Sequence, residues 1–287
     1  MLDLALSVLF SSLIFVIFKL FKVYKIETLY AIITNYVVAC VVGLLFYNGE
    51  LSVVEVLGKP WFPGTLLLGF LFIAVFNLMA ATAQKVGVSV ASVATKMSLV
   101  IPVLFGVLVY KEALGPWKIV GVLLALAAVY FASVKPRPVD FKNTSLFLPL
   151  LVFLGSGLID TSIKYVQEVY IEEREFSLFS ATVFASAALM GILFVLLRSY
   201  RTPIRMNLRN ALGGVALGVP NYFSIYFLLR ALQNQELNSA SVFTINNVAI
   251  VMFSTLLGIL LFKEHLSVKN WSGIALAIVS IVLVALF

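Results

Sequence analysis

Tyr110-Lys111-Glu112-Ala113-Leu114 and Phe262-Lys263-Glu264-His265-Leu266 are two look-alike stretches, each set between long apolar segments. At the offset that lays Lys111 on Lys263, Ser89 falls on Ser241, Val90 on Val242, Gly106 on Gly258, Gly121 on Gly273, and Leu124-Ala125 on Leu276-Ala277. The chain therefore reads as an internal duplication.

Composition fixes the solvent. Hydrophobic residues make up 62% of the chain and charged residues 11%, with mean hydropathy +1.09, far from the usage of a water-soluble domain. Crossing about 30 Å of hydrocarbon takes about 20 residues of helix. Ten apolar stretches qualify: 2–18, 29–47, 64–83, 88–109, 115–133, 145–163, 177–197, 212–230, 239–262 and 268–286. They are continuously apolar rather than alternating, so they predict helices and not the strands of a barrel. The first lacks a basic leading region and a small-residue cleavage site and is read as a mature helix. Cys40, the single cysteine, lies within a span, so no disulfide framework is expected.

The duplication extends further. Leu9-Phe10-Ser11-Ser12-Leu13-Ile14, followed by Lys19, reads against Leu154-Gly155-Ser156-Gly157-Leu158-Ile159, followed by Lys164. Residues 39–46 read against 187–194 in the same way, pairing helix 2 with helix 7. Five helices is an odd number, so a second copy must enter the membrane from the opposite side. The expected fold is an all-α polytopic membrane protein, ten transmembrane helices in two inverted five-helix repeats, 1–134 and 145–287. Lys135-Pro136-Arg137-Pro138 forms the linker, since its prolines stop helix 5. Inverted repeats of this kind are what secondary transporters show, with the binding site at the repeat interface.

Each repeat ends in the same way. A small-residue start (Ser89-Val90-Ala91-Ser92; Ser239-Ala240-Ser241) leads through an aliphatic run into Lys-Glu-x-Leu, with a glycine in the following helix (Gly121; Gly273). The first copy carries a mid-helix proline, Pro102, where the second has Ser254. On these residues the chain resembles, over essentially its full length, the EamA-like branch of the drug/metabolite transporter superfamily. The resemblance implies secondary transport of a small polar or amphipathic metabolite, commonly export of amino acids or related compounds, by alternating access in the bacterial inner (plasma) membrane. It also implies cytoplasmic termini.

The positive-inside rule gives a different orientation. Connections 1–2, 3–4, 5–6, 7–8 and 9–10 carry most of the lysines and arginines, including Lys19, Lys22, Lys25, Lys85, Arg198, Arg201, Arg205 and Arg209. The opposite connections hold only Lys59, Lys111, Lys118, Lys164, Arg174 and Arg230. The bias puts both termini outside. It also explains the net charge of +7 as a face toward anionic lipid. The expected partners are membrane lipid and a small-molecule substrate, with no nucleic acid, and nothing in the sequence supports a homodimer.

Candidate site residues are the polar groups inside spans, which are costly there and face a cavity or a partner. Lys96 sits about eight residues into helix 4, roughly 12 Å deep at 1.5 Å per residue, on one face with Ser89 and Ser92. At the duplication offset Ser89, Ser92 and Thr95 fall on Ser241, Thr244 and Asn247, giving each repeat a polar stripe, with Asn246 beside it and Ser254 further along. Asn77, Asn221 and Tyr222 complete the expected substrate-binding set of Asn77, Ser92, Thr95, Lys96, Asn221, Tyr222, Thr244, Asn246 and Asn247. Asn35, Tyr226 and Arg230 are weaker candidates. Asp160 and Lys164, one turn apart in helix 6, are an internal ion pair or an ion- or proton-coupling site. Glu112 and Glu264 read as capping or hinge residues.

No cofactor and no metal site is expected. His265 is the only histidine, and neither a His-Glu-x-x-His motif nor a phosphate-binding glycine loop is present. The expectation is a transporter and not an enzyme. The rival readings are a channel, or a membrane enzyme without a recognisable catalytic motif.

Overall fold

The computed structural model describes residues 2–47, 53–110, 115–133, 144–170, 175–199, 207–232 and 239–286. Every described element is helical: α1 (Leu2–Val23), α2 (Thr28–Leu45), α3 (Val53–Gly58), α4 (Phe62–Lys85), α5 (Val88–Met97), α6 (Val100–Tyr110), α7 (Pro116–Ser133), α8 (Thr144–Tyr170), α9 (Phe176–Ser199), α10 (Leu208–Leu232), α11 (Ser239–Phe262) and α12 (Val268–Leu286). With no water in hydrocarbon to satisfy backbone N–H and C=O groups, a helix is the form in which one segment pairs its own.

Among the described residues, eight stretches are long and apolar enough to cross a membrane. The expected ten is reached only by adding the shorter apolar helices Ile119–Ala132 and Val268–Val284, which lie in α7 and α12. The span expected over 88–109 divides into α5 and α6, and α3 is a short helix between the second and third expected spans. Large apolar side chains cover the outer surface, Leu67 at 59%, Leu108 at 81% and Leu193 at 48% exposure among them. A surface of that kind suits lipid tails and not water. The chain is a multi-pass membrane protein.

The break between α5 and α6 has a local cause. Pro102 has no N–H to offer the carbonyl of Ser98, and its ring crowds that carbonyl. The freed Ser98 carbonyl accepts instead from Ile101 N–H at 2.9 Å, a tighter turn than the α-helix makes.

The packing is regular. If α3 is left out and α5–α6 is counted as one interrupted span, most neighbour relations have a counterpart five spans later. α1 packs on α10 as α8 packs on α4, α2 on α10 as α9 on α4, α1 on α11 as α8 on α5 and α6, and α5 on α7 as α11 on α12. Three pairs, α2 with α9, α5 with α11 and α7 with α12, map onto themselves. Several helices approach closely at glycines. A Cβ on Gly273 would lie 2.3 Å from the backbone nitrogen of Ala132, and one on Gly121 would lie 2.7 Å from Val284, so the α7/α12 pair is held at both ends by the glycines the duplication matches.

Contacts between helix ends define two faces. On the terminal face, where α1 begins and α12 ends, Arg230 pairs with Asp3 at 3.5 Å. There the loop before α4 also meets the loop before α9: Trp61, 1% exposed, donates its indole N–H to Glu175 at 2.8 Å, and Lys59 pairs with the same carboxylate. These two donors hold the Glu175 carboxyl below its ordinary pKa. On the opposite, return face, Gln84 of α4 donates to Phe18 O and to Thr28 Oγ1, and Ile26 packs on Gly213.

Candidate functional site

A cavity of about 430 Å³ lies within the bundle. α5 and α8 supply its polar wall with Thr95, Lys96, Ser156 and Asp160, and α10 and α11 add Asn221, Asn246 and Asn247. Phe72, Val75, Phe76 and Met79 of α4 form an apolar wall. Residues from both halves of the chain therefore meet in one space.

The cavity is nearer the terminal face. Its lining reaches Leu228, close to the end of α10, and Ile163 in the second half of α8. Toward the return face the interior is filled: Phe18, Ala80, Ala83, Val88 and Ala91 are 0% exposed. Lys96 thus sits at the inner end of the cavity, where a dense core begins.

Its electrostatics are those of two opposite charges on one cavity. Lys96 is half-buried, while Asp160 is exposed although it lies mid-helix, because the cavity reaches it. Among the described residues no direct ion pair joins them. Ser98 Oγ lies 2.6 Å from Thr95 O and 3.3 Å from Asp160 Oδ2, and its single proton serves the shorter contact. Asp160 is left with acceptor capacity toward the cavity. Two further groups are short of partners. Asn246 Oδ1 and Ser156 Oγ are buried, in residues 2% and 6% exposed, and neither has a hydrogen-bond partner among the described residues. Buried polar atoms are costly unless paired, and both residues line this cavity.

Of the residues expected from sequence, Thr95, Lys96, Asn221, Asn246, Asn247 and Asp160 line the cavity. Asn221 is held by its amide, which donates to Asn35 Oδ1 of α2 at 3.1 Å. The others lie elsewhere. Asn77 donates to Ile73 O of its own helix at 2.7 Å. Ser92 is 0% exposed and accepts from Ser254 at 2.7 Å, which places the repeat-equivalents of the Pro102 position and of Thr244 in the α5/α11 contact and not in the cavity wall. Tyr222 packs among Phe46, Phe223 and Tyr226. The helices of Thr244 and Lys164 are described, but their side chains lie outside the described set, as does Glu112. The polar stripe of α5 thus has two uses: its first turns bind neighbouring helices, and the turn before the break opens onto the cavity.

Ser156 is not among the residues the sequence points to, although the alignment of 154–159 on 9–14 sets it opposite Ser11. A lone serine in a span most often bonds within its own helix, and only its missing partner sets it apart. The apolar wall from α4 was equally hidden among the other apolar residues of that span.

Comparison with known proteins adds the family. The family model described as "EamA-like transporter family" matches residues 1–134 and 143–286. An uncharacterized protein of Haemophilus influenzae (strain ATCC 51907 / DSM 11121 / KW20 / Rd) is 30% identical over 289 residues, spanning 97% of this chain and 96% of its own. One crystal structure superposes with a TM-score of 0.60 over 99% of this chain and 96% of that one, at 17% identity, and speaks for the fold alone. Matched over almost its whole length, the chain belongs to the EamA-like transporter family.

Proposed function

We propose that this protein is a secondary transporter that moves a small amphipathic metabolite, in the direction of export, by alternating access in a bacterial inner membrane. Its two halves, 1–134 and 145–287, act as inverted repeats around the cavity. The observation that carries the reading is the convergence of Lys96, Asp160, Asn246 and Ser156 on one cavity, two of them charged without a direct mutual contact and two buried without a partner. A bound solute with a polar head would pair with Lys96 and Asp160, small side-chain movements would bring Asn246 and Ser156 to it, and the Phe72, Phe76 and Met79 wall suits an apolar arm. Ionisable groups of this kind inside a span mark a substrate path.

The filled core toward the return face favours a carrier over a channel, because it leaves the cavity without a path to that side in this conformation. Proteoliposomes screened against a metabolite mixture test the reading. The expected result is saturable uptake with counterflow of a few chemically related solutes. Flux that rises linearly with concentration and without counterflow would refute a carrier.

A further inference from the structure

Glu264 is a largely enclosed acid that the cavity does not use. Its residue follows α11, where Lys263 takes a left-handed turn (φ 51) and Glu264 N–H returns to Gly258 O at 3.2 Å. The turn sends the carboxylate across to α5. Oε1 accepts from Val88 N–H at 2.8 Å and Oε2 from the Ser89 hydroxyl at 3.2 Å, so the first turn of α5 is capped by another element. α5 has no side-chain cap of its own, because Gly87 (φ 155) precedes it. Lys19 of α1 approaches the same carboxylate at 3.5 Å and lies 6.0 Å from the centre of the Phe262 ring. Side-chain exposure is 21% for Lys19 and 11% for Glu264. The approach is close: a Cβ on Gly258 would lie 2.7 Å from Glu264 Oε2.

Three elements, α1, α5 and the turn after α11, thus meet through one carboxylate at the return face. The core beneath it is the one that seals the cavity. α5 also carries Lys96 at its other end, so any opening of this face must separate the α5 N-terminus from α1 or from the α11 turn. Resting on the alternating-access reading, we propose that Glu264, with Lys19 and the α5 N-terminus, is the latch that keeps the return face closed.

Two variants separate the parts of the latch. Lys19→Met removes the ion pair and leaves the cap, and Glu264→Gln weakens both. Opening is read by the rate at which a sulfonated maleimide labels Ala83→Cys, a 0% exposed position beneath the latch, in a Cys40→Ala background. Leu228→Cys, on the cavity near the terminal face, is the companion position. The expected result is that labelling at 83 rises about tenfold in Glu264→Gln, the population change that about 1.4 kcal/mol produces, and less in Lys19→Met, while labelling at 228 falls in both. Unchanged labelling at 83 in both variants overturns the latch. Labelling that rises at both positions is lost packing and overturns it equally. Failure of the transport reading looks different: in the chain with native Lys19 and Glu264, position 228 labels and position 83 never does.

Discussion

At the scale of single residues, what distinguishes this bundle is which polar groups are satisfied and which are not. Asn77, Thr82, Thr161 and Thr182 each bond a carbonyl one turn back, the ordinary fate of a polar group in a span. Lys96 and Asp160 face a cavity instead. Lys96→Met should leave expression and size-exclusion behaviour intact while lowering transport more than tenfold, the effect of about 2 kcal/mol or more lost with a charged contact; full transport by the variant would remove Lys96 from the site. Asn246→Ala should raise KM for the transported solute more than it lowers the maximal rate, as loss of a binding contact does. Glu175 supports a pH prediction. Its carboxyl is held low by Lys59 and Trp61, so its contribution to stability is complete above its ordinary pKa of 4.5 and is lost as pH falls through the depressed value. The gap in melting temperature between the native chain and Glu175→Gln should therefore narrow as pH falls below about 4.5, and a gap independent of pH would contradict the pairing.

At the scale of elements, some of what the sequence shows repeats in pattern and some of it depends on contact. Apolar length announces the spans, but 88–109 reads as one helix although Pro102 interrupts it. The position of the break was not legible, because it depends on which carbonyl the proline leaves free and on Ile101 taking it up. The repeated glycines were legible as a motif but not as a cause. Their reason appears only in the α7/α12 contact, where Gly273 faces Ala128 and Ala132 and Gly121 faces Leu283 and Val284. Ser280 adds a hydrogen bond to Gly121 O at 2.7 Å, and Asn270 caps α7 by donating to Phe131 O and Ala132 O. Gly273→Val should push the two helices apart and lower stability by about 1–3 kcal/mol, the usual cost of overpacking. The backbone of Ala132 cannot move aside as a flexible side chain can. Thermal melts in detergent would show it, and an unchanged melting temperature would mean that the pair is not closely packed.

At the scale of the whole molecule, the neighbour relations set α1 to α6 against α8 to α11 in the way the matched segments suggest, although those segments include none from α4 and α10. Their packing partners correspond even so: α4 lies on α8 and α9 as α10 lies on α1 and α2. Lipid-facing residues need only be apolar, so sequence drifts there while the packing relation stays. The site was legible to the extent that it is polar. Its apolar wall and the filled end of the bundle required the fold. Orientation rests on charge, and the structure sharpens that argument. The described cations of the return face include Lys19, Lys22, Lys25, Lys85, Arg209, Lys263 and Lys269, and those of the terminal face include Lys59 and Arg230. Because acidic residues contribute little to orientation, the comparison depends on where the lysines and arginines lie, and these crowd the return face. That face should be cytoplasmic and both termini outside, against the cytoplasmic termini that family resemblance implies. A cysteine appended at the C-terminus of the Cys40→Ala chain should then label with an impermeant maleimide in intact cells, and protection until lysis would reverse the assignment. Under the proposed export, and with the termini outside, the end held by Glu264 would face the cytoplasm and the cavity would lie toward the exterior, so this conformation would be the one that releases the solute.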